Sequence, residues 1–108
     1  MCLKYTDQIN DNTYRVTLPF LDKNNDFLEF YIIQKDIDDF YITDDGLILN
    51  NLELSEIDFK RVQLNSIVSS YGIVLTDDNQ LVIHCTSKNL RYKKDILIKC
   101  MLRLSNML

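Results

Sequence analysis

The stretch that most constrains the fold is residues 27–34, FLEFYIIQ. It is dominated by aromatic and β-branched side chains that suit a pleated surface, and polar turn residues bound it at strand length. Side chains alternate between the faces of a strand. Phe27, Glu29, Tyr31 and Ile33 therefore share one side, and Leu28, Phe30, Ile32 and Gln34 share the other. Both sets are mostly apolar, which predicts a central strand covered on both faces.

Other elements follow from this anchor. Residues 14–18, YRVTL, read as a strand that Pro19 ends or confines to an edge, because proline cannot donate to a ladder. Residues 40–43 form the next strand, after the acidic turn Lys35-Asp36-Ile37-Asp38-Asp39. Asp44-Asp45-Gly46 then stands between apolar runs. Asp-Gly is a hairpin signal, since the tight turn needs positive φ, so residues 47–49 are expected to return as a short strand. Residues 3–10 read as a short helical turn.

Downstream the period changes. Ser55 suits a helix N-cap and Asp58 resembles the far side of a capping box. Ile57, Leu64, Val68 and Tyr71 lie near one stripe of a helix over 56–71, and Gly72 sits where a glycine cap belongs. Residues 73–75 and 81–85 make a second hairpin. Leu90, Leu97, Met101 and Leu104 stripe a second long helix over 88–106. The order predicts an α+β domain: an antiparallel sheet, built from an N-terminal meander plus a later hairpin, with two long helices packed on it. Its 108 residues fit a single domain spanning 1–108.

Charge divides the chain. Residues 1–58 hold thirteen acids against four bases, and residues 59–108 hold three acids against eight bases. Asp22, Asp26, Asp36, Asp38, Asp39, Asp44 and Asp45 are the candidate partner-binding residues of an acidic surface, suited to a host or phage protein with a basic surface. Asp22, Asp26, Asp44 and Asp45 are also candidate Mg²⁺ or Mn²⁺ ligands, since hard cations take carboxylate oxygens. No Gly-rich phosphate loop accompanies them, and the simpler role for Asp44 and Asp45 is to build the turn. Lys88, Arg91, Lys93 and Lys94 are the candidates for weak nucleic-acid contact through a helix start. That cluster opposes the helix dipole, so something else is expected to want positive charge there.

The remaining chemistry is sparse. Cys2, Cys85 and Cys100 lack paired spacing, and His84 is the lone histidine, so a zinc site is not expected. Neighbours in a strand face opposite ways, so His84 and Cys85 form no nucleophile–base pair. The N-terminus has no signal-peptide pattern and no apolar run reaches a membrane span, so a cytoplasmic protein is expected.

Pro19-Phe20-Leu21-Asp22-Lys23-Asn24-Asn25-Asp26, then Phe30-Tyr31-Ile32, then Thr43-Asp44-Asp45-Gly46 resemble the small bacterial domain of unknown function numbered 1828. Lys60-Arg61, Tyr71-Gly72 and the C-terminal helix are similar in order, and the resemblance covers roughly residues 14–107. It implies a bacterial, phage, prophage or mobile-element context. Some members carry a second C-terminal domain, for which this chain leaves no room. The family offers no catalytic residues to transfer, and no cofactor is expected. The expectation is a non-enzymatic binding protein, monomeric or homodimeric, that inhibits a host defence complex such as a CRISPR system. The alternative is a divalent-metal phosphodiesterase built on the clustered aspartates.

Overall fold

The computed structural model describes residues 5–21, 25–54 and 61–106, with side chains for all of these except residues 5 and 51–54. Strands β1 (Tyr5–Asn10), β2 (Thr13–Leu21), β3 (Phe27–Asp36) and β4 (Asp39–Thr43) form an antiparallel meander. Helices α1 (Leu47–Leu54) and α2 (Arg61–Ser70) follow. The hairpin β5 (Val74–Leu75) and β6 (Leu81–Cys85) comes next, and α3 (Leu90–Ser105) ends the chain. The sheet runs β1-β2-β3-β4-β6-β5, antiparallel throughout.

The α+β class and antiparallel sheet agree with the sequence reading, and several local expectations change. Of the helical turn expected over residues 3–10, the described part, from Tyr5, is instead an edge strand paired to β2. Pro19 does not end β2. The strand runs on to Leu21, and the β2–β3 register shifts between Thr17 and Leu21, where an irregular ladder accommodates a residue without an N–H. Residues 47–49 are helix, not strand. Ile48 and Leu49 are both buried, which a helix face allows and strand alternation does not. The described residues therefore form three helices, two of them long. The expected Ser55 cap and the first residues of the 56–71 helix lie outside the described residues.

One core lies between the helices and a single face of the sheet. Val16 and Leu18 of β2, Leu28, Phe30 and Ile32 of β3, Ile42 of β4 and Leu81, Ile83 and Cys85 of β6 point into it. The cross-strand partners Val16–Phe30, Ile32–Ile42 and Ile42–Ile83 bring them into register. Leu64 and Val68 come from α2, and Leu97, Ile98, Cys100, Met101 and Leu104 from α3. Only one face of β3 is buried, against the expectation of two. Glu29, Tyr31 and Ile33 stay half-exposed on the other face.

After α2 the chain turns at Gly72, whose φ of +73° admits the backbone reversal, and the Ile73 N–H returns to the Val68 carbonyl. Arg61, at the start of α2, donates to Asn79 Oδ1 at 2.6 Å and to the Thr76 carbonyl, tying this helix to the β5–β6 turn.

Burial drives the Cys100 thiol up to about 11. A raised folded value stabilises the protonated thiol, so this contribution is full below the unfolded value near 9 and is lost as pH rises toward 11. Stability measured by urea titration should decline across that window, and less steeply in Cys100→Ala. In a Cys2→Ser background, Cys85 and Cys100 should resist a thiol reagent until the chain unfolds, because both are buried.

Candidate functional site

Thr43-Asp44-Asp45-Gly46 forms a strand-to-helix junction. Asp45 and Gly46 have φ of +55° and +83°, so the Asp-Gly pair adopts the positive φ that its sequence signals. The turn nevertheless launches a helix. The Asp44 carboxylate, 1% exposed, accepts three backbone N–H groups. Its Oδ1 takes Gly46 at 3.0 Å and Leu81 at 2.9 Å. Its Oδ2 takes Ile48 at 3.1 Å, satisfying a donor in the first turn of α1. The Asp44 N–H in turn donates to the Leu81 carbonyl at 3.3 Å. This one side chain starts α1 and joins β4 to β6. Burial drives its pKa above the ordinary carboxylate range, opposed by the three N–H donors.

Thr43 completes the junction. Its hydroxyl donates to Gln80 Oε1 at 2.9 Å and accepts the Asp45 N–H at 3.1 Å. Asp45 itself is exposed. It lines an open cleft of about 380 Å³ with Glu29, Tyr31, Gly46, Leu47 and Asn50, and Asp44 forms part of the wall. The Tyr31 hydroxyl has a raised pKa, from burial first and then from the negative fields of Glu29 and Asp45. Arg15 reaches Asp7 at 2.8 Å and approaches Glu29 at 3.4 Å, while Thr17 donates to Glu29 at 3.1 Å.

The acids separate into two groups. Asp26 precedes β3 and Asp45 follows β4 at one end of the sheet. Asp36, Asp38 and Asp39 occupy the β3–β4 hairpin at the other. The length of β3 holds Asp26 roughly 30 Å from the hairpin, and Asp45, level with Glu29 by register, roughly 23 Å from it. Asp44, grouped with the surface residues in the sequence reading, is buried and takes no part in an exposed surface. Asp22 lies outside the described residues. Among the described residues, no three His, Cys, Asp or Glu side chains converge as a metal site.

The hairpin acids have an internal neighbour. Asp38 Oδ1 accepts the Ser87 N–H at 2.8 Å and also the Ser87 hydroxyl, which holds its pKa below the usual carboxylate value. Ser87 lies just before α3. Lys93 and Asp39 are both close enough to Cys85 to shift its thiol in opposite senses. The acidic hairpin thus sits beside the basic first turns of α3, and it supplies the negative charge that the helix start lacks in its own sequence. Lys88 and Arg91 are exposed, and Lys93 and Lys94 half-buried. Sequence reasoning noted the unfavourable cations but not their compensation, because the two segments are far apart along the chain.

The chain matches the model of the Domain of unknown function DUF1828 over residues 18–104. It belongs to that family. The match runs from within β2 to the last turn of α3, so the DUF1828 domain takes in the Asp44 junction, the cleft and the acidic hairpin. No curated protein and no solved structure matches the chain.

Asp44→Ala should cost at least about 2 kcal/mol in urea unfolding, since it leaves the buried N–H groups of Ile48 and Leu81 unpaired at about 1–3 kcal/mol each, and the part-buried Gly46 N–H as well. Asp44→Asn, which keeps an acceptor at Oδ1, should cost less. Asp45→Ala should cost only about 1–2 kcal/mol, because alanine suits the φ of +55° less well than aspartate. Ser87→Ala should raise the NMR-measured Asp38 pKa toward the ordinary value, as both hydroxyl and amide alignment are disturbed.

Proposed function

We propose that this DUF1828 protein is a small non-enzymatic binding protein of phage or mobile-element type. Its acidic surface occupies a basic surface of a host protein, with a defence complex, one whose basic groove normally holds nucleic acid, as the favoured target. The observation that carries this reading is the uneven compensation of its acids. In the β3–β4 hairpin Asp38 is taken up by Ser87 just before α3, whereas Asp45 and Glu29 line an open cleft at the other end of the sheet, with Arg15 shared between Glu29 and Asp7. An exposed negative end of this kind speeds encounter with a positive partner and selects against negative ones. Asp45 has no structural duty comparable to that of Asp44, and so is free to meet a partner. The metal-dependent phosphodiesterase reading has no comparable observation behind it, since the carboxylate best fixed in place, Asp44, already holds three backbone donors.

Tagged protein incubated with lysates of candidate hosts should retain one protein stoichiometrically. Raising the salt from low to moderate should slow association markedly, and Asp45→Lys should weaken capture about tenfold or more. Absence of any stoichiometric partner across several hosts, or capture indifferent to both salt and Asp45→Lys, would sink the proposal. A thermal shift with millimolar Mn²⁺ that disappears in Asp45→Ala would favour the enzymatic reading instead.

A further inference from the structure

The face of the sheet turned away from the helices has an organisation of its own. Strand register places Tyr31 and Ile33 of β3, Tyr41 of β4, Val82 and His84 of β6, and Val74 of β5 on it. Ile33 pairs with Tyr41, Tyr41 with His84, and Val82 with Val74. These side chains form one continuous band across four strands. Val74 is 58% exposed, and the Tyr41 and His84 rings lie 6.0 Å apart at a 43° tilt. At the Asp45 end the band is rimmed by Asp7, Glu29 and Asp45.

We infer that this whole sheet face, and not the acidic rim alone, is the docking surface. Its occupant is a protein segment that carries apolar or aromatic side chains next to arginine or lysine. This inference rests on the reading of an acidic surface that meets a basic protein, and it assigns the anchoring energy to the apolar band. Tyrosines on a rigid sheet offer large contact area with little rotamer entropy to lose, and such side chains dominate binding energy where they are buried on association. The carboxylate rim sets the sign of charge that the partner must bring. Among the described residues the two cations of the face are already engaged: Arg15 between Asp7 and Glu29, and Lys35 over the Tyr41 ring at 5.4 Å. That leaves the rim negative and disfavours a nucleic-acid strand, although stacked aromatics on an open sheet suit bases elsewhere. The cations of α3 do not help such a strand, because α3 packs on the opposite side of the sheet.

The test uses the isotope-labelled whole chain with three probes: a short peptide of arginine and phenylalanine, an oligo-arginine of equal charge, and oligothymidylate. The arginine–phenylalanine peptide should bind at least about tenfold more tightly than oligo-arginine, with NMR shifts at Tyr31, Ile33, Tyr41 and Val82. Ile33→Asn and Tyr41→Ala, each checked for an unchanged fold by circular dichroism, should remove that preference and leave oligo-arginine binding as it was. Equal binding of the two peptides with shifts confined to Glu29 and Asp45 would overturn the sheet-face assignment and leave the acidic-surface reading standing. Binding of neither peptide would overturn both. Preference for oligothymidylate would overturn the class of partner.

Discussion

The rest of the structure depends on the three hydrogen bonds that the Asp44 carboxylate accepts. A helix start leaves donors without partners, and a sheet that recruits a distant strand must align it from the first residue. Asp44 meets both demands with one side chain, by holding Ile48 of α1 and Leu81 of β6. Burial makes the arrangement demanding, because a carboxylate in an apolar setting is tolerated only when its oxygens are satisfied. Thr43 and Gln80 then fix the same junction from the neighbouring position.

Beside this junction lies its near-opposite. Asp45 shares the chemistry of Asp44 and stands one position further along, yet its side chain faces an open cleft. Charge in this protein therefore has three different duties. It is structural at Asp44, it balances a helix start at the β3–β4 hairpin, and it faces solvent at Asp45 and Glu29. The acidic bias of the first half of the chain is thus not a uniform coating, and a partner that reads charge meets it at the cleft end of the sheet.

Much of this was legible in the sequence where the signal was local. The alternation in β3, the apolar stripe of α3, the glycine turn after α2 and the β5–β6 hairpin all follow from period and turn chemistry. Local signals also gave the correct backbone at Asp45 and Gly46, with positive φ at both. They gave the wrong sequel, because hairpin or helix after that turn is decided by which groups Asp44 can reach, and one of these is 37 residues away. The same limit hid the bare face of β3. Tyr31 and Ile33 look buried by type, and only the stacking of every helix on one side shows that they are not. The pairing of the acidic hairpin with α3 was out of reach for the same reason, since Asp38 and Ser87 are separated by 49 residues.

The strand order carries a consequence for how the chain reaches its fold. Strands β1 to β4 pair with their sequence neighbours, so these contacts close short loops. Strand β6 must instead find β4 across α1 and α2, and closing a loop of that length costs about 3 kcal/mol of chain entropy before any contact repays it. The meander can assemble from local information, while the β4–β6 seam waits for the helices between them. This ordering makes the Leu81 amide, which points at Asp44, a reporter of the last step. Its hydrogen exchange should track completion of the sheet, whereas amides in the β2–β3 ladder should report the earlier assembly.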